Sequence, residues 1–343
     1  MAFKIGIMGA SGYTGAELIR LLALHPKIEI KILTGERQAG KNIGEVFSHL
    51  GGLNLPKLCR MEEVAWDKLD GVFCCLPHGN AQLVIRDLPS QLKIVDLSAD
   101  YRIKDPALYE QIYGHAHVAP QLQKEAIYGL TEHYRVSVAK ARIVANPGCY
   151  PTAAELPLWP LLKARLIDPN QIIIDAASGM SGAGRDPKLG TIFSEVSENF
   201  SAYGISNHRH APEIEQELSL AAGQEIKISF TPHLVPMIRG ILATIYVKMG
   251  SGVKIDDLRQ TLMSAYQEES FVRIVPQPPS TKDVKGSNFC HISLHEDRRE
   301  GSAIIVSAID NLIKGASGQA IQNFNVMMGW KEHLGLQTLS FAP

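Results

Sequence analysis

The sequence predicts an α/β protein, with a doubly wound parallel sheet in its first part and a mixed α+β domain in its second. Up to about residue 146, short apolar runs alternate with polar helical segments, which is typical of a parallel sheet covered on both faces. Beyond that point, predicted strands follow one another with fewer helices between them. The length of 343 residues agrees with two domains, because one hydrophobic core seldom serves more than about 300 residues.

The elements of the first part follow a β-α-β order. Residues 3–8 form a predicted strand, a glycine-rich turn comes next, and residues 16–24 place leucines and isoleucine at helical spacing. The pair His25-Pro26 ends this helix. Further strands are predicted at residues 28–33, 71–76 and 93–97.

The second part begins near Asn146, where the composition changes. Its predicted strands span residues 171–176, 226–231, 241–248, 271–275, 289–294 and 302–308. Residues 310–328 carry apolar side chains on one stripe and are predicted as a long final helix. We therefore expect domains at residues 1–148 and 149–309, followed by a C-terminal helix and tail at 310–343.

The composition indicates a large core and no strong electrostatic partner. Hydrophobic residues make up 45% and charged residues 20%, and 34 Lys+Arg against 35 Asp+Glu leave a net charge of −1. Neither a nucleic acid nor an anionic membrane is expected as partner. No apolar run reaches the ~20 residues of a membrane span, and charge and glycine interrupt the start too soon for a signal peptide. We expect a cytoplasmic protein.

The glycine-rich turn is the first candidate binding site. A strand that enters a tight turn and opens a helix directs backbone N–H groups and the helix dipole at a phosphate. Such turns also occur without a ligand, but the flanking strand and helix favour a nucleotide and hence a Rossmann-type domain. With the pattern G-x-x-G-x-x-G, the expected contacts are Gly9, Ser11, Gly12, Tyr13, Thr14 and Gly15.

The residues after the second strand favour NADP over NAD. An acidic residue there would bind a free ribose 2′-hydroxyl, whereas Thr34 and Arg37 offer a hydroxyl and a guanidinium that suit a 2′-phosphate. Glu36 is the feature that argues for NAD. The expected cofactor is NADP(H).

Cys149 is the second candidate for chemistry. The five cysteines are an odd number without C-x-x-C spacing, which fits neither a disulfide framework nor a zinc cage. Cys149 follows a turn, and Pro151 suits the first position of a helix, so the thiol is expected at a helix N-terminus where the dipole favours a thiolate. The remaining cysteines are expected to be small buried side chains: Cys59, Cys74, Cys75 and Cys290.

A histidine turn is the third candidate. His208, Arg209 and His210 lie just before a predicted helix, and either imidazole could be the base for a cysteine nucleophile. A surface or capping role is the alternative for each. The pairs His115-x-His117 and His291-x-x-x-His295 lack a third ligand at characteristic spacing, so no metal is expected.

Three loops that follow predicted strands complete the candidates, because ligands bind at the carboxyl ends of strands in open parallel sheets. One loop contains Pro77, and the next contains Arg102, which either binds a phosphate or pairs with Asp100 or Asp105. The third loop contains Ser178, Gly179, Ser181 and Gly182. It either supplies hydrogen-bond donors to a ligand or is a flexible linker.

Together these motifs resemble a known family. G-A-S-G-Y-T-G-A-E-L, L-P-H-G, L-S-A-D-Y-R, N-P-G-C-Y-P-T, S-G-M-S-G-A-G-R and H-R-H-A-P-E-I occur in the order seen in N-acetyl-γ-glutamyl-phosphate reductases of arginine biosynthesis. The resemblance covers residues 4 to about 329. It implies NADPH-dependent reduction of an acyl phosphate to a semialdehyde, with release of phosphate, by a homodimer or homotetramer.

The resemblance also implies roles for individual residues. Cys149 matches the nucleophile and His208 the acid/base residue, although related semialdehyde enzymes place a histidine just after an Arg-Gly pair, where this chain has Ile241. The last helix resembles a segment that returns to the cofactor and the first domain. The remaining matches, to substrate, phosphate or cofactor, are Arg102, Asn146, Arg209, His210 and Gln319.

Two alternatives remain at this point. The same chemistry could act on N-acetyl-aminoadipyl phosphate in lysine biosynthesis, because one methylene changes binding by only about 1–3 kcal/mol. The chain could also be a nucleotide-sensing protein that has lost catalysis. The second alternative predicts a dispensable Cys149, whereas the chain retains a thiol, imidazoles and an arginine together.

Overall fold

The computed structural model describes residues 2–341, which form two compact units. The first unit contains residues 2–147 together with 316–337, and the second contains 148–315 together with 338–341. Relative to the predicted domain limits, Gly148, residues 310–315 and residues 338–341 lie with the second unit. Met1, Ala342 and Pro343, which those limits include, lie outside the described residues.

The first unit is built around a parallel sheet. Its strands are β1 (Phe3–Met8), β2 (Ile28–Thr34), β3 (Leu58–Cys59), β4 (Gly71–Cys74), β5 (Lys93–Asp96), β6 (Ile127–Tyr128) and β7 (Ile143–Ala145). Its helices up to that point are α1 (Tyr13–Leu22), α2 (Ile43–Val46), α3 (Ala81–Arg86), α4 (Pro106–Tyr113), α5 (Pro120–Glu125) and α6 (Thr131–Val138). A 3₁₀ turn at Glu36–Gln38 follows β2.

The seven strands of this sheet have the order β3-β2-β1-β4-β5-β7-β6, and every neighbouring pair is parallel. The chain leaves β1 toward β2 on one side and continues from β4 on the other. In such doubly wound sheets the crevice at the point of reversal is the usual ligand site. Strand β4 is buried along its whole length, as expected for a sheet covered on both faces. The predicted fold class is confirmed for this unit.

The second unit has a mixed sheet. Its strands are β8 (Ile167–Ser178), β9 (Ser201–Ala202), β10 (Ser229–Leu234), β11 (Ile241–Met249), β12 (Val272–Ile274), β13 (Cys290–Glu296) and β14 (Ser302–Ile309). They lie in the order β12-β13-β14-β11-β8-β10-β9, with parallel and antiparallel neighbours. The helices of this unit are α7 (Cys149–Lys163), α8 (Phe193–Val196), α9 (His210–Ala222) and α10 (Ile255–Tyr266).

One face of this sheet is buried, as strand β11 shows. Its residues alternate between buried and half-buried, and α7 packs against it. Helix α7 in turn packs against α9 and α10, so its side chains are buried almost along its whole length. The sheet therefore supports α7, the helix that begins at Cys149.

The predicted helix at residues 310–328 is not a regular α-helix over residues 310–317. A π-helical turn, Ile313–Ser317, precedes helix α11 (Gly318–Met327). The buried Asp310 carboxylate accepts hydrogen bonds from the backbone N–H groups of Leu312 and Ile313, the pattern by which an aspartate caps the start of a helical segment, so the helical turns begin only after Asp310. The apolar stripe runs through both segments and hides the change of geometry.

Helix α11 belongs to the first unit and packs against β5, α6 and α1. Its Phe324 ring lies 5.1 Å from that of Phe73, and a Cβ on Gly71 would stand 2.6 Å from Phe324 Cε2. Gly71 is thus required by this close approach. Within the described residues, no helix is long and apolar enough to cross a bilayer.

Candidate active site

The glycine-rich turn between β1 and α1 has the shape that a dinucleotide needs. Gly9 has φ +71°, and a Cβ there would stand 2.6 Å from the Cys75 carbonyl oxygen. A Cβ on Gly15 would stand 2.6 Å from Ala10 Cα, so helix and turn approach closely. Gly12 comes just before the ten-residue α1. A Cβ on Gly12 would have one neighbour, the Gly9 carbonyl oxygen at 3.5 Å, and would otherwise meet open space. The fit of the turn to a pyrophosphate follows from this open side at a helix N-terminus.

The turn is held by the end of β2. The buried Thr34 accepts a hydrogen bond from Gly9 N–H at its hydroxyl, at 3.2 Å, and another from Ala10 N–H at its carbonyl, at 2.8 Å. Thr34 therefore shapes the turn. Arg37 is exposed on the 3₁₀ turn beyond it, while the Glu36 carboxylate accepts the Met61 N–H at 3.1 Å. A guanidinium is a group that suits a 2′-phosphate.

Asp100 connects the two loops that follow β4 and β5. Its carboxylate accepts hydrogen bonds from Gly79 N–H at 2.7 Å, Gln82 N–H at 3.0 Å and the Tyr109 hydroxyl at 2.8 Å. Pro77 lies exposed in the first of these loops. The buried Arg102 lies in the second and donates from Nη2 to the Leu97 carbonyl at 3.0 Å.

Asn146 and Gln319 belong to a buried polar network in the first unit. Asn146 accepts a hydrogen bond from Asn323 Nδ2 at 3.1 Å and donates to the Ala316 carbonyl at 3.2 Å. Gln319 Nε2 donates to the Gly129 carbonyl and to the Thr131 hydroxyl. The Oε1 atom of Gln319 is buried and accepts no hydrogen bond from the described residues, which leaves an acceptor for a bound amide.

The third loop lies in the second unit and is tied to its neighbours. Gly179 donates its N–H to the Gly240 carbonyl at 2.9 Å, and a Cβ there would stand 2.7 Å from the Ile238 carbonyl oxygen. Asn311 Nδ2 donates to the Ser181 hydroxyl at 2.9 Å. Ser178 is buried, and a Cβ on Gly182 would stand 3.2 Å from its hydroxyl. This loop is an ordered turn, so the linker alternative is wrong.

Cys149 is the first residue of α7, which confirms the predicted helix N-terminus. Pro151 occupies the third helical position, so the expectation of proline at the first is wrong. The thiol is half-buried. Glu213 Oε1 accepts the Gly148 N–H at 2.7 Å, and a Cβ on Gly315 would stand 2.8 Å from Cys149 Cβ. The backbone around the sulfur is therefore held from two sides.

The other cysteines lie in surroundings that disfavour a thiolate. Burial raises the pKa of the Cys75 thiol to about 12 and that of Cys74 well above its usual value. Burial and the nearby Glu63 raise the pKa of Cys59. Cys290 is fully buried.

We expect iodoacetamide to alkylate Cys149 at least about ten-fold faster than any other cysteine at pH 7, because it alone combines access with a helix N-terminus. Peptide mass spectrometry after short reaction times gives the rate at each thiol. Cys59, which is also half-buried, is the internal control. Equal rates at Cys59 and Cys149 would contradict a special thiolate.

His208 is surrounded by aromatic rings in the second unit. The rings of Tyr150, Tyr203 and Phe230 lie edge-on to its imidazole, at centroid distances of 5.5, 5.5 and 5.4 Å. The His210 ring lies at 4.9 Å. Tyr150 directly follows the nucleophile candidate in α7, so the imidazole packs against the same helical turn as the thiol.

These surroundings decide the charge of His208. Burial first, and then the positive Arg209, lower the pKa of the imidazole to about 4. The His210 N–H donates to His208 Nδ1 at 3.1 Å, which assigns the remaining hydrogen to Nε2. The free protein therefore carries a neutral imidazole at pH 7.

Three residues of this site were not predicted from the sequence. Tyr150 and Glu213 lie inside the motifs that carry the resemblance but were given no role. Tyr203 had no signal at all, because it lies in an irregular segment. Arg209 is exposed beside His208, and the side chain of His210 is buried.

In each of the two histidine pairs considered as metal ligands, one histidine forms a hydrogen bond with a neighbouring residue. His117 Nδ1 accepts the Ala119 N–H at 3.0 Å, and His295 Nε2 shares a hydrogen bond of 2.9 Å with the Ser293 hydroxyl. Among the residues that the structure describes, no three His, Cys, Asp or Glu side chains come together as a metal site.

Comparison with known proteins decides the family. The family model of the semialdehyde dehydrogenase NAD binding domain matches residues 4–141, and that of the dimerisation domain matches 149–311. An N-acetyl-gamma-glutamyl-phosphate reductase of Rhodospirillum rubrum is 56% identical over 99% of both chains. The chain belongs to the N-acetyl-gamma-glutamyl-phosphate reductase family. A probable chloroplastic reductase of Arabidopsis thaliana is 54% identical over 97% of this chain and 84% of its own length.

Solved structures confirm the fold of this reductase family member. Aspartate semialdehyde dehydrogenase II from Vibrio cholerae aligns over 96% of this chain and 99% of its own, with a TM-score of 0.72 and 16% identity. The Candida albicans aspartate semialdehyde dehydrogenase with NADP aligns over 95% and 99%, with a TM-score of 0.71 and 19% identity. The two-part α/β architecture is thus that of the semialdehyde dehydrogenases.

Proposed function

We propose that the chain catalyses the NADPH-dependent reduction of N-acetyl-γ-glutamyl phosphate to N-acetylglutamate semialdehyde and phosphate, in arginine biosynthesis. The observation that carries this proposal is the helix-start thiol of Cys149, on the same helical turn that packs against a shielded His208, in a chain 56% identical to a reductase of that name. A nucleotide sensor without catalysis would have no need to keep this pair.

The reaction begins at Cys149. Its thiolate attacks the acyl carbon, the C–O bond to phosphate breaks, and a thioester remains on the sulfur. The start of α7 stabilises the thiolate, because four N–H groups at a helix N-terminus lack acceptors within the helix. The bond from Gly148 N–H to Glu213 fixes the backbone that leads into the helix. The resemblance assigns the leaving phosphate to Arg102, with Arg209 and His210 as further contacts to the substrate.

His208 is the general acid of the proposed reaction. In the free protein its Nε2–H is a neutral donor, which can hydrogen-bond to the thiolate or to the oxygen of the acyl group. A bound acyl phosphate brings negative charge that offsets the effect of Arg209, so the substrate favours the imidazolium, which forms when Nδ1 takes a proton from water and gives up its hydrogen bond from the His210 N–H. The charged ring then gives its Nε2 proton to the thiohemiacetal oxygen when the thioester is reduced, and the ring is neutral again.

NADPH, when bound, supplies the hydride that reduces the thioester. The turn at Gly9, Gly12 and Gly15 would hold its pyrophosphate, Arg37 its 2′-phosphate and Gln319 its carboxamide. Pro77 and the loop of Ser178, Gly179, Ser181 and Gly182 remain proposed cofactor contacts. The peptide groups of Ser11, Tyr13 and Thr14 complete the proposed phosphate site.

Arg37→Ala is expected to raise the KM for NADPH by about 10- to 100-fold and to leave the KM for NADH unchanged, because only the former carries the 2′-phosphate. Initial rates with both cofactors measure the two constants. Arg60→Ala, an exposed arginine elsewhere in the same unit, is the control. An equal rise in the KM values for NADH and NADPH would contradict the assignment of Arg37 to the 2′-phosphate.

The substrate is tested by comparing kcat/KM for N-acetyl-γ-glutamyl phosphate and the one-carbon-longer N-acetyl-aminoadipyl phosphate. We expect a preference of at least about ten-fold for the shorter substrate, the effect of one methylene in a fitted pocket. A preference for the longer substrate would contradict this assignment and indicate a role in lysine biosynthesis.

We further propose that the enzyme is a cytoplasmic homodimer or homotetramer. The matched family model of a dimerisation domain over residues 149–311 supports self-association. Exposed apolar side chains of the second unit, among them Leu189, Phe193 and Ile205, offer area for such contacts. Sedimentation velocity at micromolar concentration gives the oligomeric state.

A further inference from the structure

Residues 199–207, a mostly exposed segment that includes β9, place one aromatic side chain against the catalytic histidine. We propose that Tyr203 is a positioning residue of the active site, which shields the His208 imidazole from water and holds it in one orientation. This inference rests on the proposed function for the role of His208, but the contacts that carry it are independent of any substrate.

The backbone fixes where Tyr203 lies. Strand β9 pairs antiparallel with β10 at the edge of the sheet, and the Tyr203 N–H donates to the Pro232 carbonyl at 3.0 Å. The neighbouring Phe230 of β10 also contacts the imidazole. The segment is therefore anchored to the same strand that forms one wall around His208.

The side chain of Tyr203 makes two contacts that suit a positioning role. Its ring lies edge-on to His208 at 5.5 Å, and its hydroxyl shares a hydrogen bond of 2.9 Å with the hydroxyl of Tyr150. Tyr150 is itself edge-on to His208 and follows Cys149 in α7. Tyr203 thus links this outer segment to the helix that carries the nucleophile.

Gly204 shows how closely this segment lies against the imidazole. It has φ +57°, and a Cβ there would stand 3.2 Å from His208 Cδ2. A side chain at this position would push the segment away from the ring. Tyr203 is 38% exposed, so its outer edge meets solvent while its inner edge covers the histidine.

The groups that face His208 explain what Tyr203 contributes. They are Tyr150 from α7, Tyr203 from the segment, Phe230 from β10, and Arg209 and His210 from its own turn. Both phenols have pKa values raised by burial, so they stay uncharged near neutrality. Arg209 is the charged group that disfavours the imidazolium, and exclusion of water by the rings is the larger cause.

The test compares Tyr203→Ala and Tyr203→Phe by NMR titration of histidine labelled with ¹³C at Cε1, the His208 signal being assigned by its loss in His208→Asn. Tyr203→Ala admits water and is expected to raise the pKa of His208 by about one unit or more. Tyr203→Phe keeps the ring and is expected to keep the low pKa. In the alanine variant kcat is expected to fall about 10- to 100-fold, with an unchanged KM for NADPH.

Phe200→Ala is the matched control. Phe200 is an exposed aromatic residue of the same segment, but its ring stacks on His233 at 5.2 Å. We expect neither the titration of His208 nor kcat to change in this variant. If Tyr203→Ala leaves the pKa of His208 at the wild-type value, the proposal is overturned whatever happens to kcat. If the pKa rises and the wild-type enzyme has no reductase activity, the shielding holds and the proposed function fails.

Discussion

Cys149→Ser is expected to lower kcat by at least about 10⁴-fold, because an alcohol at this position is far less nucleophilic than a thiolate and the thioester cannot form. The assay is the reverse reaction, phosphate-dependent reduction of NADP⁺ by N-acetylglutamate semialdehyde. The affinity for NADPH should stay within about two-fold, since the proposed contacts to the pyrophosphate and the 2′-phosphate, at the glycine turn and Arg37, do not use the thiol.

Cys59→Ser separates this loss from a general effect of removing a thiol. Cys59 is half-buried like Cys149, but it ends the short strand β3 and its thiol donates to the Leu33 carbonyl at 3.5 Å. We expect this variant to keep its activity within about two-fold. Trapping the acyl group on Cys149 by mass spectrometry, when NADPH is withheld, is the positive evidence. If the Cys149→Ser enzyme kept more than a tenth of the wild-type activity, the covalent mechanism would be contradicted.

His208→Asn is expected to lower kcat by about 10²- to 10⁴-fold, the usual contribution of a positioned acid or base. Asparagine fills part of the aromatic enclosure but cannot exchange a proton near neutrality. The dissociation constant of NADPH, measured by fluorescence titration, should not change. The pKa of about 4 also predicts that neutral His208 persists in the free enzyme as the pH falls from 7 to 5, so its protonation does not limit kcat/KM in that range.

His210→Asn is the companion that tests the choice between the two imidazoles. His210 contributes its backbone N–H to His208 Nδ1, and that contribution survives a change of side chain. We therefore expect a smaller loss, below about ten-fold. A loss as large as that of His208→Asn would assign the acid/base role to His210 instead.

Secondary structure was predictable where periodicity was strong. Strands β1, β2 and β11 lie within one residue of the predicted limits, because apolar side chains occupy one or both of their faces. Strand β8 begins at Ile167, earlier than predicted, since its first residues are polar and hide the pattern. The two-residue strands β3, β6 and β9 have no period to detect.

The site was predictable only in part. The helix start at Cys149 and the turn at Gly9, Gly12 and Gly15 follow from local geometry, which short motifs encode. Thr34 was expected to face the cofactor. The structure instead buries it under the glycine turn, a contact between β2 and the end of β1 that the sequence does not show.

The sequence by itself determined the fold class and the position of the thiol at a helix start, because both follow from patterns that extend over a few neighbouring residues. Only the tertiary structure decided that His208 is neutral. Its pKa depends on the exclusion of water by rings from α7, from the segment around Tyr203 and from β10. Burial is a property of residues far apart along the chain, and no local pattern records it.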